Sequence, residues 1–136
     1  MFVVVDASVW IARFVPSDVF HDSVKSWIND QLEDGVEFIS PSLLLAEIGG
    51  AISRRTSDPE LALRTIEQLE KTPNVRIVDM DQSLVHEASR LSAKIGLRGA
   101  DAVYVATAAK LKIPLVTFNV EQKNRAKKVV EIWEIG

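Results

Sequence analysis

Short apolar runs alternate with longer amphipathic stretches along this chain. Phe2 to Val5 is the first run, continuous and rich in β-branched residues. It is too short for a buried helix and fits a strand covered on both faces. Val36 to Ser40, cut off by Pro41, is a second such run. Val75 to Val78, Pro114 to Thr117 and Val129 to Trp133 continue the series.

The stretches between them read as helices. Val9 to Val15 is short and stops at Pro16. A second helix runs from a Ser17 or Asp18 cap to about Leu32, with Val24, Trp27 and Ile28 inward. Ser42 is the expected cap of a third, Leu43 to Arg55, which buries Leu43, Leu44, Leu45, Ile48, Ala51 and Ile52. Gly49 and Gly50 in mid-helix should cost about 1 kcal/mol each against alanine, so another backbone is expected close by. Asp58-Pro59-Glu60 opens a fourth helix to about Lys71, with Leu61, Leu63, Ile66 and Leu69 apolar. Asp81 caps a fifth to Ile95, ended by Gly96. The sixth, from Gly99 through Asp101 to Leu111, is small and apolar almost all round, the pattern of a buried helix. Asn119 starts a last short helix to about Lys127.

Strands alternating with helices imply a mostly parallel sheet of about five strands, covered on both faces through right-handed crossovers. The expected fold is therefore α/β, a three-layer α/β/α sandwich. With 136 residues and no linker or repeat, residues 1–136 read as a single domain. Composition adds exclusions. The chain has no cysteine, hence no disulfide framework and no thiolate nucleophile or metal ligand. No basic segment precedes the first apolar run, which is unlike a signal peptide. No apolar stretch approaches the ~20 residues of a membrane span, so the expected location is the cytoplasm. A net charge of −3 argues against general affinity for nucleic acid but leaves room for a local basic face.

Three acids stand where a core does not want them. Asp6 ends the first strand, at the strand end where α/β folds place their chemistry. Glu47 interrupts the leucine-rich helix, and Asp101 lies in the first turn of the alanine-rich one. Each has a plainer explanation: an N-cap for Asp6, a water-facing side chain for Glu47, a dipole contact for Asp101. Thr117 and Asn119, after the fourth strand, can be turn and cap residues only, and Glu121 a simple first-turn acid. Together they make a stronger pattern. Carboxylates converging in one cleft repel one another unless a cation intervenes. Oxygen ligands without histidine or cysteine suit Mg²⁺ or Mn²⁺. His21 and His86 show no ligand spacing and read as surface residues.

Val5-Asp6-Ala7-Ser8, Pro41 followed by Glu47, Gly99-Ala100-Asp101-Ala102 and Leu115-Val116-Thr117-Phe118-Asn119 occur in that order. On these motifs the whole chain resembles the PIN domains, and among them the small VapC-type toxins of prokaryotic toxin–antitoxin pairs. The resemblance implies a metal-dependent ribonuclease using Mg²⁺ or Mn²⁺. Asp6, Glu47 and Asp101 match the family's acidic cluster, with Ser8 as a supporting hydroxyl. Asn119 stands where the family usually has Asp, and Glu121 falls where many members carry a further acid. In the mechanism this suggests, Asp6 and Asp101 hold the ion, while Glu47 and Glu121 complete the pocket and orient a water that attacks the phosphodiester in line. Thr117 supports the site. The implied partners are an RNA substrate, a small antitoxin protein and a second copy of the chain. Trp10, Phe14, Leu44 and the Gly49-Gly50 helix are the expected apolar docking surface. Arg13, Arg54, Arg55, Arg98 and the segment Lys123 to Lys128 are available for RNA backbone.

The alternative is a domain that binds RNA or protein without cutting, given Asn119 in place of an acid. A phosphotransfer fold ranks below both. A haloacid-dehalogenase-like phosphatase would need a second Asp at position 8, where Ser stands. A response-regulator receiver would need an Asp pair after the first strand and a Lys after the last.

Overall fold

The structure, a computed structural model, describes residues 1–135; Gly136, the end of the expected domain, lies outside them. Its element order is β1 (Phe2–Val5), α1 (Ala7–Phe14), α2 (His21–Glu33), β2 (Glu37–Pro41), α3 (Leu43–Thr56), α4 (Pro59–Lys71), β3 (Val75–Val78), α5 (Gln82–Ile95), α6 (Gly99–Leu111), β4 (Leu115–Val116), α7 (Val120–Ala126) and β5 (Ile132–Trp133). All five strands lie in one parallel sheet in the order β3-β2-β1-β4-β5. Right-handed crossovers then put α1 to α4 on one face and α5 to α7 on the other. The result is the expected three-layer α/β/α fold.

The first strand is the centre of the sheet. Val3, Val4 and Val5 are wholly buried, as a strand covered on both faces must be. β1 pairs with β2 on one side and with β4 on the other, with Val4 opposite Leu115 and Val5 opposite Val116. The chain winds outward through β2 and β3, then returns to the far side of β1. The carboxyl ends of β1 and β4 therefore flank the point where the winding reverses, the usual crevice for a ligand in such sheets.

Several local expectations are corrected. α1 begins at Ala7, because the Asp6 side chain already accepts from the Ser8 N–H as an N-cap. Neither Ser17 nor Asp18 caps α2. Asp18 instead closes a turn on the Phe20 N–H and pairs with Arg55 on α3, and the helix starts at His21. Ser42 makes no side-chain cap bond; its N–H extends the sheet by bonding Val78. Pro41 does not stop β2 but is its last residue, opposite Val78. Residues 129 and 130 are held in a turn by the Ala126 carbonyl, which shortens β5. His21 is half-buried, with Nδ1 on the Ala12 carbonyl.

The proposed apolar docking surface is also corrected. Trp10 and Leu44 are buried at 3% and 0% exposure, inside the core rather than on its surface. The Trp10 indole N–H donates to Ser40 Oγ, and the Ser40 hydroxyl donates to the Val5 carbonyl. That relay satisfies the polar end of a buried indole. Phe14 stacks on Trp10. Gly49 does mark a close approach, but the neighbour is a side chain of the same chain: a Cβ there would sit 3.0 Å from Ile66 Cδ1 on α4. Of the apolar residues in α4, Leu69 is buried whereas Leu63 is 60% exposed. No helix among the described residues is long and apolar enough to cross a membrane.

The last contrast is testable. Leu69→Ala should cost about 2–5 kcal/mol, the range for an aliphatic side chain removed from a packed core. Leu63→Ala should stay within about 0.5 kcal/mol of the parent, as a surface change does. Urea unfolding of the two variants checks the assignment of the α4 faces.

Candidate active site

Asp6 sits at the carboxyl end of β1, 5% exposed, beside the reversal of the sheet. A buried carboxylate needs partners. Asp6 Oδ2 takes two: the Ser8 N–H at 3.0 Å and the Thr117 hydroxyl at 3.1 Å. Ser8 Oγ lies 3.3 Å from Thr117 Oγ1 and accepts the Phe118 N–H at 3.1 Å. The plain reading of Asp6 as a cap and the functional one therefore hold together. The same side chain caps α1 and faces the crevice.

Glu47 comes from α3, one helical layer, and Tyr104 from α6, in the other. The Tyr104 hydroxyl donates to Glu47 Oε1 at 2.6 Å, closing the two layers over the strand ends. Burial pushes the Glu47 carboxyl above its ordinary range; the Tyr104 bond opposes this, and the charges of Asp6 and Asp101 add to it. Tyr104, almost wholly buried, is held far above its ordinary pKa by that burial and by Glu47. Asp101 is also raised, first by burial and then by Asp6; Arg98 opposes, and Glu121 adds to the rise. The Asp6 charge thus acts on both Glu47 and Asp101.

The two remaining predicted residues are engaged locally. Asn119 caps α7, its Oδ1 accepting the Gln122 N–H at 3.0 Å. Glu121 is exposed and pairs with Arg125 at 3.3 Å. Several expected basic residues are likewise paired or stacked: Arg55 with Asp18, Lys123 with Glu134, Arg13 over the Phe14 ring. Arg98, at the start of α6, is the basic residue whose charge reaches Asp101.

Sequence reasoning missed Tyr104 and Gln122. Gln122 is 1% exposed; its Oε1 accepts from Thr117 at 2.8 Å and its Nε2 donates to the Asp101 carbonyl at 3.2 Å. It ties α7 to both β4 and α6. Thr117 has one proton and two acceptors, Asp6 and Gln122, so its hydroxyl serves one at a time. A polar residue three places after the Asn119 cap was the available signal, but only the fold shows it turning inward. A cavity lies elsewhere, between α5 and α6, lined by Gln82, Ser83, His86 and Lys110. It holds none of the buried carboxylates, so it is not the candidate site.

A family model described as PIN domain matches residues 3–128. The chain belongs to the PIN domain family. No curated protein matches it in sequence. Among solved structures, this PIN domain is similar to VapC20 of Mycobacterium tuberculosis, described as a Sarcin-Ricin loop cleaving toxin, with TM-score 0.81, 19% identity, and 97% of this chain and 99% of that one covered. It is also similar to DNA-bound VapBC from Salmonella typhimurium, with TM-score 0.76, 14% identity and coverage of 100% and 99%. VapBC-1 from nontypeable Haemophilus influenzae matches with TM-score 0.73, 15% identity and 98% of each chain covered. At such identities the likeness is one of fold.

Two expectations follow from this geometry. The folded pKa values of Glu47 and Asp101 lie above the ordinary 4.5 and 3.8. The folded state therefore holds these protons more tightly than the unfolded one, and stability falls as pH rises. The loss begins near the ordinary values, grows through the raised folded values and is complete above them. Without divalent cation, Glu47→Gln keeps an acceptor for Tyr104, and should melt higher than the parent at neutral pH and vary less between pH 4 and 7. Melting curves across that range are the check. Separately, Gln122→Leu should cost about 1–3 kcal/mol, because it removes two buried side-chain hydrogen bonds, to the Thr117 hydroxyl and the Asp101 carbonyl; chemical denaturation measures it.

Proposed function

We propose that this PIN domain is a Mg²⁺- or Mn²⁺-dependent endoribonuclease, and the toxin of a type II toxin–antitoxin pair. The observation that carries the reading is Asp6. It is a carboxylate buried at the reversal point of the sheet, in one field with Glu47 and Asp101. Glu47 and Asp101, raised by burial and further by the Asp6 charge, with only oxygen donors about them, are the chemistry of a hard-cation site. Among the described residues no three acidic or histidine side chains are already close enough to hold an ion together.

Asp6 and Asp101 would hold the ion, with Glu47 completing the pocket and Glu121 near enough to add negative charge to Asp101. When bound, it supplies positive charge for phosphate oxygens and makes a water more acidic. The chain's own residues supply placement and proton handling. Ser8 and Thr117 fix the Asp6 carboxylate. Tyr104 fixes Glu47 through Oε1, leaving Oε2 to accept a proton from an attacking water. A carboxylate whose pKa is raised towards neutrality is a better general base than an ordinary one. Arg98 offers a cation to the RNA backbone at the rim.

The solved VapBC assemblies support a small antitoxin partner, and the reading places the protein in the cytoplasm, paired with a second copy of itself. A cleft between α1, α2 and α4, where Phe14 and Leu32 remain partly exposed, is the apolar surface such a partner would use. This relocates the docking region from the Trp10 and Leu44 faces, which the core occupies.

Single-stranded RNA should be cut only with Mn²⁺ or Mg²⁺ present, and Asp6→Asn and Asp101→Asn should abolish cutting. Millimolar Mn²⁺ should raise the melting temperature of the parent, since binding to the native state adds RT ln(1 + [L]/Kd). Both variants should lose that rise. Asn119→Asp keeps the α7 cap and adds charge, so it should retain activity and tighten Mn²⁺ binding. RNA binding without metal-dependent cleavage would favour the non-catalytic alternative.

A further inference from the structure

We propose that Phe20, stacked on Phe118, forms a platform for one nucleobase of a single-stranded RNA bound at the carboxylate site. The proposal rests on the nuclease reading above and adds a subsite to it. The two rings lie 4.3 Å apart between centroids and 11° from parallel. Phe118 is half-buried against the core and directly follows Thr117; its N–H donates to Ser8 Oγ, one bond from the Asp6 cluster. Phe20 is 44% exposed, and its neighbour Val19 is 86% exposed. One side of the Phe20 ring is covered by Phe118, and a base on its open side would continue the stack.

The ring is held in place before any ligand arrives. Asp18 Oδ1 accepts the Phe20 N–H at 2.9 Å, and Asp18 Oδ2 takes the Arg55 guanidinium at 3.0 Å. The Asp18 carbonyl accepts the His21 N–H, and His21 Nδ1 bonds the Ala12 carbonyl. A preset ring loses little freedom on binding.

Charge explains why such a contact is needed. The chain carries net charge −3, the site itself is acidic, and Arg55, Lys123 and Arg125 are taken up by ion pairs. Phosphate contacts alone would hold RNA weakly here. Stacking on an aromatic face requires no positive charge and tolerates any base.

The test uses the full chain in a Glu47→Gln background, which removes the proposed base and keeps Asp6 and Asp101 for the ion, with Mn²⁺ present. Fluorescence anisotropy follows a labelled ten-nucleotide oligoadenylate and a ribose-phosphate strand of the same length without bases. Phe20→Ala and Phe20→Leu should each weaken oligoadenylate binding roughly 5- to 150-fold, the span expected for one stacked base. Phe20→Trp should match or exceed the parent. None of the three should change binding of the baseless strand. Leu keeps apolar bulk without a π face, so it carries the test if the Ala variant folds poorly. Equal weakening of both strands would make Phe20 a structural residue and overturn the platform. Oligoadenylate binding indifferent to all three variants would assign the Val19-Phe20 surface to a protein contact and overturn it too. If the parent bound neither strand, the nuclease reading itself would fall, and the platform with it.

Discussion

A carboxylate buried beside the middle of a parallel sheet is the constraint on which this structure turns. A carboxyl group such as Asp6 in a low-dielectric surrounding is tolerable only with hydrogen-bond partners at hand. The Ser8 N–H comes from the first turn of α1, and the Thr117 hydroxyl from the end of β4, 111 residues away in sequence. Satisfying one side chain therefore fixes both the start of the first helix and the docking of a distant strand. The order β3-β2-β1-β4-β5 makes this possible, since it sets β1 and β4 side by side at the point of reversal.

The acids around Asp6 are positioned by groups that do not themselves carry charge. Tyr104 rises from a helix buried on every side and joins Glu47 across the sheet ends. Gln122 joins Thr117 to the Asp101 backbone. Such a scaffold keeps like charges near one another at some cost in stability. That cost is what a cation would relieve, so the same geometry that weakens the free protein favours the loaded one.

The alternation of runs and amphipathic stretches was enough to read the sheet, its parallel sense and the helices, because a two-sided sheet leaves a continuous apolar signature that a helix does not. Asp6, Glu47 and Asp101 were legible for a related reason: each interrupts apolar text. Tyr104 was not, because an isolated polar tip in a buried helix gives no periodic signal, nor was Gln122, one inward residue of a short exposed helix; their partners are 57 and 21 residues distant. Trp10 and Leu44 were misplaced because apolar bulk in the sequence does not say which neighbour absorbs it. Here α1 packs between α2 and α3, and the indole finds Ser40. Helix starts failed where a turn intervened, as at Asp18.

The central strand is also the first of the five strands to be made. On a ribosome, β1 emerges with one edge awaiting β4, and residues 115–116 follow more than a hundred residues later. Synthesis at about 5–20 residues per second leaves that edge open for several seconds. Throughout that interval Asp6 lacks Thr117 and Gln122, so the nascent chain has no assembled carboxylate site. Whatever chemistry the finished domain performs, it is withheld until β4 and α7 have been made.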